Sequence, residues 1–402
     1  MPTKQTFISG TSANPPTAAN FACLMGDSDT WGGIEYSREA IIPTAGRLTN
    51  FKVGIKVAPG AGAYWTFTIW KNNATTALSV QIADAAVLSV LSTNDITVAA
   101  GDRISLRSRG TGAPTLAGAV YWRCDFIPNT SGETILLSNA AGQPLVANSF
   151  YAPMATSFST LVEFNAQILF PTAGTLKKFY VRLVVAPGGA TSRSFTIRKN
   201  GVDTGLVVTI SGADINGNNT AAGDAVDIDA GDRVSIQHTV TGAPAVSAAR
   251  FGIVFLPDNP GEWIASATTG NPTSSTAVEY QRPNCGFSYL VATENEQHGL
   301  APATTAKKIY VNLSAAPGLG ESWIFTLREA LSDTALTVTI ADADTSGNAT
   351  VNEVIAEDAL VDTLIDATAG LVTVSSQIAY LFYDAPTAAP TAAFIQGNSV
   401  FE

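Results

Sequence analysis

The chain has 402 residues, 46% of them hydrophobic and only 14% charged, with a net charge of −11. That length allows two or three domains that each bury a core, and no run approaches the 18 apolar residues of a membrane-spanning helix. A surface this poor in Lys and Glu has to be built from Thr, Ser, Asn, Gly and Ala, which suits a protein held against neighbours.

The opening residues, Met1-Pro2-Thr3-Lys4-Gln5-Thr6, lack the basic stretch, apolar stretch and cleavage site of a signal peptide, so synthesis and assembly in the cytoplasm are expected. Cys23, Cys124 and Cys285 are too few and too irregular for a disulfide framework. Buried thiols are the leading reading. Cys23 and Cys124 lie near opposite ends of one repeat, so a bridge between them stays open.

The repeat is readable by eye. Trp65-Thr66-Phe67-Thr68-Ile69 returns as Arg193-Ser194-Phe195-Thr196-Ile197 and as Trp323-Ile324-Phe325-Thr326-Leu327, offset by 128 and then 130 residues. Ala58-Pro59-Gly60 matches Ala186-Pro187-Gly188 and Ala316-Pro317-Gly318. Ala100-Gly101-Asp102-Arg103 matches Ala230-Gly231-Asp232-Arg233, but the third copy has Ala356-Glu357-Asp358-Ala359 there, so its turn must be built differently. Each copy closes on an aromatic strand: Phe126-Ile127-Pro128, Phe255-Leu256-Pro257, and Phe382-Tyr383 before Pro386. A unit of this length is a whole domain rather than a solenoid turn. The expected organisation is 1–128, 129–257 and an acidic 258–386, followed by an extended tail over 387–402. The tail's Phe394-Ile395 and Val400-Phe401 can fold back or reach a neighbouring subunit.

Within each copy the hydrophobic period is two, and Asn200-Gly201 marks a tight hairpin whose central residues need positive φ. About eight short strands per copy predict an all-β fold of three tandem antiparallel sandwiches, jelly-roll-like rather than immunoglobulin-like. Phe67, Phe195 and Phe325 are expected in the core. The position held by Trp65, Arg193 and Trp323 has two readings: simple packing, or a rim position with partly exposed contact residues.

Charge is unevenly shared. Residues 1–128 carry 10 basic and 8 acidic groups, 129–257 carry 8 and 8, and 258–402 carry 4 and 17. This excludes a basic face for nucleic acid and places the net negative charge in the third copy, facing solvent, a basic partner or cations.

His238 and His298 are the only histidines, and no G-x-S-x-G, P-loop or H-E-x-x-H motif occurs, so no catalytic residue, resident metal site or cofactor is assigned. Asp342, Asp344, Ser346 and Glu353 reproduce the spacing of a calcium loop, but Leu336-Thr337-Val338-Thr339-Ile340 before them reads as a strand. A polar hairpin turn is the leading reading there, and calcium the other.

The phrase A-P-G, F-T-I-R-K-N-G at Phe195–Gly201, A-G-D-R-V-S at Ala230–Ser235 and T-G-A-P at Thr241–Pro244 resembles modules of bacteriophage structural proteins of the tail-fibre and capsid-decoration kind. These look like the trimeric jelly rolls of the tumour-necrosis-factor and C1q type. The resemblance implies a non-enzymatic virion structural protein on the particle exterior that binds other capsid or tail proteins by surface complementarity. It also implies three fused copies closing as a pseudo-trimer. The alternative is a secreted or cell-surface carbohydrate-binding adhesin recognising a host-surface glycan through recurring aromatic platforms. A calcium-dependent glycan hydrolase is a third reading.

Overall fold

The computed structural model describes residues 3–26, 31–140, 150–154, 160–268, 278–285, 290–368 and 374–385; the tail expected over 387–402 lies outside them. The first copy supplies β1 (Gln5–Thr11), β2 (Asn20–Ala22), β3 (Ala40–Ile41), β4 (Gly46–Ile55), β5 (Gly60–Lys71), β6 (Ala74–Asp84), β7 (Ile96–Val98), β8 (Arg103–Thr111) and β9 (Val120–Pro128). They form two antiparallel sheets, ordered β1-β9-β4-β7 and β2-β8-β5-β6, with β3 added to β8. Strands that are distant in sequence become neighbours across the two sheets, as in a jelly roll.

The second and third copies repeat this order. Thr134–Asn139, Ala249–Pro257, Gly174–Leu183 and Asn216–Asn219 form one sheet of the second, and Glu262–Thr268, Ser376–Tyr383, Thr304–Leu313 and Ser346–Ile355 the matching sheet of the third. The hairpin expected at Asn200-Gly201 is present, with φ of 52° and 80°. Phe67, Phe195 and Phe325 are fully buried between the sheets.

Burial along the strands shows how the copies are arranged. In β6 the pattern alternates, as expected for one face inward and one outward. In β1, Thr134–Asn139 and Glu262–Thr268 every residue is buried, although each is the edge strand of its sheet. A lone sandwich would leave one side of such a strand in water. Here the other copies cover it.

The joints run head to tail. β3 of the first copy packs on Thr134–Asn139, Gly174–Leu183 and Ala249–Pro257 of the second; Ile168–Leu169 of the second packs on Glu262–Thr268 and Ser376–Tyr383 of the third; Gly299–Leu300 of the third packs on β1 and β9 of the first. Three equivalent heterologous joints close a ring. The pseudo-trimer expected from copy number is the arrangement found.

Three expectations need correction or decision. The position shared by Trp65, Arg193 and Trp323 is enclosed in all three copies, so packing holds and the rim reading fails. Arg193 survives inside because its guanidinium meets His238 Nε2 at 3.0 Å and donates to the Ala245 carbonyl at 2.6 Å. Cys23, Cys124 and Cys285 are buried thiols outside any disulfide; Cys23 accepts a hydrogen bond from Asn139, and burial pushes the Cys124 thiol well up. The calcium-spaced residues do not converge. Asp342 Oδ1 accepts the Gly320 amide at 2.7 Å and Glu353 the Ala335 amide at 3.3 Å. Ser346 and Glu353 lie seven residues apart on one extended strand, about 23 Å at 3.3 Å per residue. A helix would have curled this segment around an ion; a strand stretches it out.

Candidate functional site

The three joints are built on one backbone plan but carry different chemistry. The residue just before each docking strand is Glu39, Gln167 or His298, and the residue it meets on the neighbouring copy is Arg250, Gln377 or Tyr121. Glu39 and Arg250 form an ion pair at 2.8 Å with both side chains buried. Gln377 Nε2 donates to Gln167 Oε1 at 3.3 Å and to the Phe164 carbonyl at 2.6 Å. The His298 ring meets Tyr121 edge-on, centroids 5.8 Å apart. An ion pair, an amide pair and an aromatic pair do not exchange partners without leaving a buried group unmatched.

The third joint, between the third copy and the first, departs furthest. The turn glycines Gly101 and Gly231 (φ +92° and +98°) are replaced by Asp358 at φ 65°. A Cβ on Gly231 would lie 2.9 Å from the Tyr310 hydroxyl, so glycine is what lets that tyrosine of the next copy approach. At the third joint the tyrosine position is Lys52, and Lys52 Nζ lies 2.5 Å from Asp358. Arg123, itself buried, adds bonds to Glu357, Asp358 (3.1 Å) and the Ala301 carbonyl (3.1 Å). The Arg123 hydrogen bond holds the Glu357 carboxyl down at about 2. Lys56 pairs with Glu296 at 3.0 Å. Of the three alternatives for the acidic third copy, a basic partner is met in part by the first copy of the same chain.

Beside this joint a cleft of about 540 Å³ opens between the two copies, lined by Tyr121, Leu88, Leu300, Leu331, Leu360 and His298 among others. Leu331 follows Ala330 in the hairpin that the second copy makes with Asn200-Gly201, and both hold positive φ, 48° and 69°. Leucine and alanine there are strained, yet this presents Leu331 to the cleft.

Under the cleft lie Glu294, His298 and Asp362, whose donor atoms fall within 4.8 Å of one another, the single such cluster among the described residues. Glu294 sits in the short 3-10 helix Glu294–Glu296, the counterpart of Glu35 and Glu163 in the other copies. In those copies a serine from the facing strand donates to the glutamate, Ser105 to Glu35 at 3.4 Å and Ser235 to Glu163 at 2.9 Å. The third copy has Asp362 in that place. Burial pushes its carboxyl up to about 6, against the pull of His298, whose Nε2 is 3.2 Å away. The sequence marked His298 only as one of two histidines and did not single out Asp362 or Glu294. Aligning Ser105, Ser235 and Asp362 within the repeat would have found the change.

No family model matches the chain, and no curated protein matches it.

Proposed function

We propose that the protein is a non-enzymatic structural component of a virion exterior, a capsid-decorating or tail-associated unit that docks on other virion proteins by shape and apolar contact. The observation that carries this reading is the closed ring: one chain supplies three jelly rolls whose innermost strands are buried on both sides. A unit that assembles itself in this way arrives preorganised, with the entropy of collecting three chains already spent. Its outer strands carry mainly Thr, Ser, Asn and Ala, a weakly solvated face suited to lying against a neighbour.

The adhesin reading needs an aromatic platform recurring in every copy. The recurring position is Trp65, Arg193 and Trp323, all enclosed, which weighs against that platform.

Mass spectrometry of purified particles from the source, with light scattering on the isolated chain, tests the proposal. The chain should appear in particles at fixed stoichiometry and be a monomer of 41.7 kDa when isolated. Recovery only from a particle-free secreted fraction would overturn it.

A further inference from the structure

We propose that Glu294, His298 and Asp362 bind one divalent transition-metal ion of the zinc class, which ties down the segment that docks the third copy on the first. The inference is independent of the virion reading.

Three observations carry it. First, His298 and Asp362 are at least 98% buried, and neither a ring nitrogen nor a carboxylate oxygen of either makes a hydrogen bond. Their approach at 3.2 Å lacks the alignment of one. Buried polar groups are nearly always matched, so a matched pair is expected once a third body sits between them. Second, Arg328, the cation that holds Glu294, is committed elsewhere. Arg328 bonds Glu294 at 2.6 and 3.4 Å, and its other donors go to Asp333 and the Leu331 carbonyl. It serves Glu294 as Arg198 serves Glu163 in the second copy, at 2.8 Å, and leaves Asp362 without a bond. A carboxylate held by an outer arginine is a normal metal ligand. Third, the donors already cluster within 4.8 Å. A tetrahedral zinc ion places its ligand atoms roughly 3.3 Å apart, so modest side-chain rotation closes the site.

One imidazole with two carboxylates favours zinc, cobalt or manganese over calcium and magnesium, which prefer oxygen alone. His298 also lines the cleft, giving an ion a route inward.

The test uses Asp362→Ser and His298→Gln, which import the residues that the second copy tolerates at the same places, Ser235 and Gln167. Zn2+ titration followed by calorimetry should give one ion per chain and a raised thermal midpoint. Co2+ should give visible d–d bands. Each substitution should weaken uptake by more than about 100-fold, beyond the loss of an outer-shell partner. If Asp362→Ser does not fold, His298→Gln and the wild-type Co2+ spectrum decide. No uptake by the folded wild-type chain, or uptake unchanged by the substitutions, overturns the proposal.

Discussion

The clefts at the first and third joints occupy the same place in the ring and have opposite character. At the first, Arg103, Arg182 and Arg250 converge around a space of about 360 Å³; at the third, the same three positions are Leu360, Gly54 and Tyr121 around about 540 Å³. Two of these arginines are held by Glu39, which meets Arg103 at 3.1 Å and Arg250 at 2.8 Å. Burial first, then neighbouring arginines, pulls Arg250 down to about 10, with Glu39 opposing. The first joint is thus a charged lock. The third moves its charges to the Asp358 turn and frees the cleft for apolar contact. One backbone joint, repeated, can be fastened in unrelated ways, because the backbone bonds form the sandwich while a few side chains choose the neighbour.

The largest expected effect breaks the lock. Glu39→Ala strands two arginines and should cost about 3–5 kcal/mol, read as a fall in the urea midpoint; Gln167→Ala at the second joint should cost only about 1 kcal/mol. If the two costs are equal, the joints are not fastened differently. Next, Gly252→Val should cost about 1–3 kcal/mol by overpacking. Even a Cβ there would lie 1.9 Å from the Ile41 carbonyl oxygen, whereas the corresponding position at the third joint holds a full Arg123. Thermal denaturation of the two variants Gly252→Val and Arg123→Val separates steric from electrostatic loss.

Smaller again, Ala330→Asn with Leu331→Gly restores turn residues suited to positive φ. It should stabilise the chain by about 1 kcal/mol after lost apolar contact is counted, while a fluorescent apolar probe loses its place in the cleft. The last effect is in pH, and solvent screens it because the Glu357 side chain is more than half exposed. Glu357 has a folded value of about 2, below the roughly 4.3 of an unfolded glutamate. Its contribution is therefore complete above pH ~4.3 and fades as pH falls toward 2. Glu357→Gln should flatten the thermal midpoint against pH over that window, and an unchanged slope would remove Glu357 from the third joint.

Much of the fold was legible because it is written locally. The period-two runs, the Asn200-Gly201 turn and the returning Phe67, Phe195 and Phe325 each depend on near neighbours. The joints were not legible. Glu39 and Arg250 are 211 positions apart, and His298 meets a tyrosine 177 positions earlier; nothing in either local sequence names the other. The rim reading drawn from Arg193 fails for a related reason, since the acceptability of Arg193 inside depends on His238 and the Ala245 carbonyl from other strands. The calcium spacing, the lesser of the two readings there, fails because the same residues curl in a loop and spread in a strand. The third copy's turn was expected to be built differently, but it keeps the backbone of the other two: Asp358 holds the positive φ of Gly101 and Gly231, and its amide donates to the Ala301 carbonyl as theirs do to Ile42 and Phe170. Only the side chains change, to meet Lys52 and Arg123 of the first copy, and that emerges only in three dimensions.

The head-to-tail ring also has a schedule. β1 is made well before the Gly299–Leu300 strand that covers it, with the rest of the first sandwich and the whole second one between them in the chain. During synthesis the first two sandwiches wait with one flank bare, and a second chain's third sandwich fits that flank as well as its own does. Short connections between copies favour the intramolecular answer by raising the local concentration of the correct partner. Slow or crowded synthesis favours the exchanged one, so the yield of single rings should fall with chain concentration during refolding.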